Sequence, residues 1–401
     1  MQRSTNRPFA WLLAATGSSG LGEGISLSVL PLLMTTLTRD PVTVGLLQTA
    51  AALPWALFGL HAGALVDRWD RARTLFVCDL VRAAFAGLLG VAILAGRVEV
   101  ITLLVFAFAT SVATVIFRAA DAAVLPSLVA GTELARANSR LQASQTISAG
   151  FVGPSLGGAL FTLAHWFPAT VQLITFALSA ACLRRLPRRA GRRISRRTTL
   201  HSEIVEGLHH VRANRTLRAL AAGTALQGAG TWMMMGVFVL YTLDTLGAPA
   251  SGYGLLITAY AAGSLMGAGL APRLQARLGA RAVLTSAALL GGLTILGLAA
   301  TRTFAVATAA MALLGVAILA LNVSAVTLRQ QHTPDHLLGR VSSAFTVLNV
   351  ATAPVVGPVA GLIASHFGLP AALATAGVVF CAAAPFLAAG VRPSSSVERA
   401  A

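Results

Sequence analysis

Apolar stretches long enough to cross a bilayer follow one another along nearly the whole chain. They fall at approximately 9–37, 42–66, 74–96, 100–124, 138–163, 167–186, 217–243, 251–272, 281–300, 303–328, 340–365 and 370–391. A membrane-spanning helix needs about 20 mostly apolar residues, because in hydrocarbon every backbone polar group must be satisfied within the segment. Of the 401 residues, 56% are hydrophobic and 11% are charged, whereas a soluble domain carries about 25% charged residues. Mean hydropathy is +0.76. So few charges cannot cover a water-facing surface, which argues against a large soluble protein with buried helices. The sequence predicts an all-α membrane protein of twelve transmembrane helices.

All 30 basic residues are arginine, and with 13 acidic residues the net charge is +17. In a soluble protein that charge would point to nucleic acid. A membrane protein has a simpler source for it, since cytoplasmic segments collect positive charge. With the N-terminus inside, only Arg39, Arg97 and Arg302 fall in outer segments, and Arg82 and Arg118 fall within spans. The other arginines lie in cytoplasmic segments. Both termini are therefore expected on the cytoplasmic side of the cell's inner membrane. The N-terminus imitates a signal peptide, but its apolar run continues well past the length of such a segment and reads as a retained first span.

The outer connections "TRDP", "AGRVE" and "ATRT" leave no room for an ectodomain. The long internal connection, 184–220, begins with an Arg-rich stretch suited to anionic lipid. From Ser202 and Glu203 onward, Ile204, Val205, Leu208 and Val211 fall on one helical face, the pattern of an amphipathic helix on the inner surface. The run lacks aromatic interleaving, so no nucleic-acid partner is expected. Cys78, Cys182 and Cys381 lie in apolar spans without metal-ligand spacing and read as small hydrophobic residues. No metal or cofactor is expected.

The two halves resemble each other. "GPSLGG" starts at Gly153 and "GPVAGL" at Gly357; Arg136 of "ELARANS" and Arg340 of "LLGRVSS" are separated by the same interval. A shared offset at two places predicts a duplicated six-helix unit: an N-terminal bundle over 1–186, a cytoplasmic linker over 187–216 and a C-terminal bundle over 217–401. Parallel repeats of this kind build transporters whose substrate site lies near the midplane.

Between the second and third spans stands "GALVDRWDRARTL". Its pattern G-x-L-x-D-R-x-x-R-x-R, carried by Gly63, Leu65, Asp67, Arg68, Arg71 and Arg73, resembles the signature of the major facilitator superfamily. Asp70 stands where a glycine is common. "VCDLVRA", "ELARAN" and "TPDHLLGRVSS" extend the resemblance over nearly the whole chain, toward the drug:proton antiporter branch with macrolide-efflux and siderophore-exporting proteins. The resemblance implies a monomer of major facilitator fold. It also implies a cytoplasmic latch in which Asp67 faces the positive N-terminal end of span eleven near Gly339–Ser342. Arg68 or Arg71 could meet Asp121 at the inner end of span four, and Gly63 permits close helix approach. The cluster could instead be no more than a concentration of positive charge on the inner side.

Glu23, in the middle of the first span, is the candidate proton carrier. A charged residue at the centre of a span costs about 2.5–3.5 kcal/mol on insertion scales, so it should face a cavity or a partner. A carboxylate that alternates between protonated and ionised forms is what exchange against protons requires. It could equally be a hydrogen-bonded structural group, or bind a cationic substrate. Arg82, Arg118 and Asp79 are expected to support the latch. Many related antiporters place an arginine in the middle of span four, and "VFAFATSVATVIF" has none.

Candidate cavity residues are Gln48, Gln145, Gln227, Trp232, Tyr260, Asn322 and Asn349, each of which could also simply link helices. "GPSLG" around Ser155 fits the nucleophile-elbow pattern, but lies within an apolar helix and its repeat lacks the serine. His61 reads as a packing or interface residue. No P-loop occurs. The sequence reading is a proton-coupled exporter of a small amphipathic drug-like molecule or secondary metabolite. The alternatives are a proton-coupled importer and, further off, a membrane-embedded enzyme or receptor.

Overall fold

The structure is a computed structural model and describes residues 6–66, 69–129, 133–187, 200–334 and 337–391. Among them the regular structure is helical throughout. Four long helices open the chain: α1 (Asn6–Leu37), α2 (Pro41–Val66), α3 (Arg71–Leu94) and α4 (Val100–Val124). The next expected span is one helix whose register changes along it: α5 (Leu134–Gln145), a π-helical turn over Thr146–Val152 and α6 (Gly153–Leu163). Then come α7 (Phe167–Leu183) and the linker helix α8 (Leu200–Ala213). The second half comprises α9 (Arg215–Leu240), which runs into a π turn at Tyr241–Thr245, α10 (Ala250–Leu278), α11 (Ala280–Ala300) and α12 (Phe304–Gln331). It closes with α13 (Leu338–Val350), α14 (Ala353–Phe367), α15 (Leu369–Cys381) and α16 (Ala383–Gly390).

Ten helices among the described residues are long and apolar enough to cross a membrane, and two shorter apolar ones, Phe167–Leu183 and Ala353–Phe367, occupy the sixth and eleventh expected spans. Local signals set the helix ends. Asp70 caps α3 by accepting from the Arg73 amide at 2.8 Å, and Asn214 caps α9 by accepting from the amides of Thr216 and Leu217. Gly279 and Gly368, with φ of 78° and 87°, turn the chain between α10 and α11 and between α14 and α15. A side chain is rarely tolerated in that backbone region.

By contacts the chain divides into two compact units. The first comprises Met1–Thr38, Ala50–Arg196 and Ala248–Thr258. In it α1 packs on α6 and α7, and α3 packs on α4 and α7. Its core includes Leu12, Val66, Leu75, Phe117, Leu125 and Leu183. The start of α10 belongs here: Thr258 Oγ1 donates to the Phe151 carbonyl at 2.9 Å and meets the Ser155 hydroxyl.

The second unit comprises Arg39–Thr49, Arg197–Gly247 and Ala259–Ala401. Here α9 packs on α14, α15 and α16, and α11 on α12 and α15, around Leu217, Leu284, Leu321, Val341 and Leu387. The start of α2 belongs to this unit. Thr49 Oγ1 donates to the Pro354 carbonyl at 2.6 Å, and Arg39 pairs with Asp244 at 2.7 Å. The linker helix α8 packs on α13 and α9, with Val211 buried and Glu206 paired to Arg340. The side chains of Ile204 and Val205 lie outside the described set.

Large apolar side chains stand exposed on the outer faces, among them Leu88, Val91 and Leu94 on α3 and Ile101 and Val105 on α4. A soluble protein would bury such rows. A bilayer receives them at no cost, which is why the helices need no polar face.

Candidate functional site

Four helices of the first unit bring charge to one place. On α1, Ser19 and Glu23 are four residues apart and share a face; on α3, Asp79 and Arg82 are three apart; α4 contributes Phe117, Arg118 and Asp121, and α7 Phe176 and Ser179. Spacings of three and four put the charged and hydroxyl groups of each helix on one side of it. The four faces converge.

Glu23 is held at both oxygens. Arg82 Nη1 donates to Oε1 at 2.7 Å and Arg118 Nη2 to Oε2 at 2.6 Å. Its side chain is 14% exposed, and that of Arg82 is 1% exposed. Arg82 also pairs with Asp79, its Nη2 2.5 Å from Oδ1. Asp79 is fully buried and accepts from the hydroxyls of Ser19 at 3.1 Å and Ser179 at 2.5 Å. The Arg82 guanidinium is further covered by the rings of Phe117, at 4.3 Å from the centroid, and Phe176, at 5.0 Å. Gly22 makes room for that arrangement, since a Cβ there would stand 2.7 Å from the Phe176 ring.

The energetic logic is that of a buried ion network. A charge taken out of water costs several kcal/mol unless partners and hydrogen bonds replace its hydration. Arg82 has two carboxylates and two aromatic faces, and Asp79 has an arginine and two hydroxyls. Asp121 is treated differently: its Oδ1 is buried and accepts no hydrogen bond. Glu23, Asp79 and Asp121 together carry three negative charges when ionised, and Arg82 and Arg118 carry two positive ones. The fully ionised cluster therefore keeps one uncompensated negative charge, which a single proton would neutralise.

Among the residues expected to form the latch, Arg71 donates to the Ala123 carbonyl at 2.8 Å and so ties the start of α3 to the end of α4. Arg73 is exposed beside the α3 cap. Asp67 and Arg68 lie outside the described residues, as does the side-chain environment of Gly63. Arg82, Arg118 and Asp79, expected to support the latch, instead gather around Glu23 and its neighbours. The middle of span four lacks an arginine, yet α4 still supplies one to Glu23 through Arg118.

Of the candidate cavity residues, Gln145 belongs to the first unit and the others to the second. Gln48, Gln145, Trp232, Tyr260 and Asn322 are partly buried. Gln227 is buried, donates to Thr231 Oγ1 at 3.5 Å and keeps Oε1 without a partner. The side chain of Asn349 lies outside the described set. No hydrogen bond joins any two of these residues among the described side chains. Ser155 faces the Thr258 hydroxyl rather than a base. His61 is exposed, its ring 3.3 Å from the Leu57 carbonyl.

Ser19, Phe117, Phe176 and Ser179 were not picked out by sequence. Ser19 carried a signal, standing one helical turn before Glu23. The two aromatic residues carried none, since phenylalanine in an apolar span is unremarkable until an arginine is found against it.

The family model described as "Transmembrane secretion effector" matches residues 4–398. An uncharacterised MFS-type transporter of Sinorhizobium fredii, y4rN, is 29% identical over 386 residues, covering 94% of this chain and 93% of its own. The multidrug efflux pump Tap of Mycobacterium bovis is 28% identical over 421 residues, covering 100% of this chain and 99% of its own. Among solved structures, a bacterial homologue of the human lysosomal transporter Spinster, in an inward-facing and unoccupied conformation, superposes with a TM-score of 0.77. It covers 97% of each chain at 14% identity, a likeness of fold.

Proposed function

Because the chain belongs to the transmembrane secretion effector family of the major facilitator superfamily, we propose that this membrane transporter is a proton-coupled exporter of a small amphipathic molecule. The observation that carries the reading is Glu23, a carboxylate in the first span held by arginines from two other helices. When Glu23 is ionised, α1 is tied to α3 and α4 through Arg82 and Arg118. When it takes a proton, both pairs lose their charge attraction and the three helices are free to adjust. A proton arriving from outside and leaving inside thus drives one cycle, with about 2.3 kcal/mol supplied per 100 mV of membrane potential.

In this reading the bundles over 1–186 and 217–401, joined by the linker over 187–216, expose the substrate alternately to the two sides. Both termini lie in the cytoplasm, and the protein works as a monomer in the inner membrane. Gln48, Gln145, Gln227, Trp232, Tyr260, Asn322 and Asn349 contact substrate. Asp67, with Gly63, Arg68, Arg71, Arg73 and Asp121, forms the latch on the cytoplasmic side. The efflux activity for which the Mycobacterium relative is named supports export over import.

One observation favours a second reading. Both oxygens of Glu23 are already engaged, which also suits a structural pin that carries no proton. Everted membrane vesicles separate the two. Acidifying the interior should drive uptake of a cationic amphipathic dye by the wild-type chain, and Glu23→Gln should abolish that uptake while leaving dye exchange at equal pH intact. Gradient-driven uptake that survives Glu23→Gln would assign the group to structure. Efflux on acidification would make the protein an importer.

A further inference from the structure

A groove runs along the outer side of the first unit between α3 and α4 and encloses about 600 Å³. The connection between these helices is too short for anything but an antiparallel pair. The groove therefore has a direction. At one end stand Trp69, Asp70 and Arg73, at the start of α3; toward the other, Val77 and Val81 of α3 line it together with Val112 and Ile116 of α4. Trp69, Val77 and Val81 are 42%, 44% and 37% exposed, so the groove opens outward rather than into the helix packing.

The mouth is asymmetric in its chemistry. The Asp70 carboxylate is turned to the helix end, accepting from the Arg73 amide at 2.8 Å. The Arg73 side chain is exposed and makes no hydrogen bond or ion pair with any described residue. Nearby Arg71 is occupied by the Ala123 carbonyl. A guanidinium with no partner among the described residues, at the head of an apolar trough that an indole also lines, matches one class of molecule. Its phosphate would meet Arg73, its glycerol region would lie against the ring of Trp69, and an acyl chain would follow Val77, Val81 and Val112 toward the bilayer centre. Tryptophan favours that depth, and basic pockets at the cytoplasmic ends of spans collect anionic head groups.

We propose that the α3–α4 groove holds a resident anionic phospholipid of the inner leaflet, selected over zwitterionic lipid by Arg73. The placement of the mouth at the cytoplasmic leaflet rests on the orientation given above; the selection does not rest on transport. A bound lipid at this position ties the start of α3, which follows the signature loop directly, to the composition of the membrane.

Fluorescence tests it without a transport assay. In a full-length chain with Trp11, Trp55, Trp166 and Trp232 changed to phenylalanine, Trp69 is the sole indole. Reconstituted into phosphatidylcholine vesicles, it should be quenched by phosphatidylglycerol brominated in the upper acyl chain with about fivefold higher apparent affinity than by brominated phosphatidylcholine. Arg73→Gln should remove the preference and Arg73→Lys should keep it. Val112→Phe, which fills the trough, should weaken quenching by both lipids. Lipid retained by the wild-type chain through delipidation, weighed by native mass spectrometry, checks the result independently of the tryptophan changes and should be phosphatidylglycerol. Equal quenching by the two lipids, a preference for phosphatidylethanolamine, or a preference that survives Arg73→Gln would overturn the assignment.

Discussion

Arg82 is the residue on which the charge cluster depends. It is 1% exposed and stands between Glu23 and Asp79, so removing it leaves buried Asp79 without a cationic partner and Glu23 with Arg118 alone. Breaking a buried ion network from one side costs about 3–5 kcal/mol. Arg82→Ala should therefore lower the stability of the detergent-solubilised protein by about that amount in chemical unfolding, and Arg82→Lys should recover part of it. At the other extreme of exposure, Asp40 caps the start of α2, accepting from the Thr43 hydroxyl and, at 2.8 Å, from the Thr43 amide. The Thr43 hydroxyl, followed by its amide, holds the Asp40 carboxyl below the usual carboxylate range. A carboxyl lowered on folding stabilises the folded state above its unfolded pKa, about 3.9, and stops doing so as pH falls through the folded value. Asp40→Ala should cost about 1 kcal/mol at pH 6. The gap from the wild type, followed as thermal stability against pH, should close as the pH drops below about 4. Glu23 and its central position were legible in the sequence, because a lone acid in an apolar span is conspicuous. Its partners were not: an arginine's reach across helices depends on how the helices are rotated, which the sequence of one span does not state.

Among the helices, the second unit is packed through small residues. A Cβ on Gly263 of α10 would run into the Ala312 carbonyl of α12, and one on Gly267 would lie 2.9 Å from Val316 Cα. These backbones are in contact, as is usual where lipid supplies no hydrophobic drive between helices and close approach has to supply the attraction. Gly263→Val should cost about 1–3 kcal/mol through forced separation, read as a lower thermal midpoint in detergent. Gly269, six residues further along α10 with open space around it, should accept valine with little change beyond its helix propensity. The expected span five runs as one helix from Arg136 to Leu163 with its hydrogen-bond register changed at Thr146–Val152, whereas the expected span eleven is interrupted just before Ala353. Hydropathy reports the length of an apolar run and is blind to a change of hydrogen-bond register inside it. The Gly-Pro pair at Gly153 stands at the end of that π turn, whereas its repeat at Gly357 lies inside α14, four residues past its start.

At the scale of the whole molecule, the linker helix belongs to the second unit and docks on it. Glu206 of α8 pairs with Arg340 of α13, their side chains 51% and 28% exposed. Exposed pairs contribute about 0.2–1 kcal/mol. A double-mutant cycle on Glu206→Arg and Arg340→Glu should show coupling in that range, with the charge-swapped double variant regaining what each single change loses in thermal stability. Arg340 is the residue that the sequence repeat singled out, and its partner lies in the long connection that the repeat does not include. Composition alone determined that the chain lies in a membrane, because a surface with so few charges can be stable only against lipid. The apolar periods determined its helical class, because hydrocarbon leaves a backbone few other ways to satisfy itself. The signature between the second and third spans pointed to the family. Tertiary structure decided the rest: which arginines meet Glu23, that Asp121 Oδ1 is buried without a hydrogen bond, that Arg73 heads an apolar groove, and that the start of α2 belongs to the second unit and the start of α10 to the first. Membership of a bilayer is a sum over residues and survives their rearrangement. A site is a matter of facing, fixed only when each helix is turned against its neighbours.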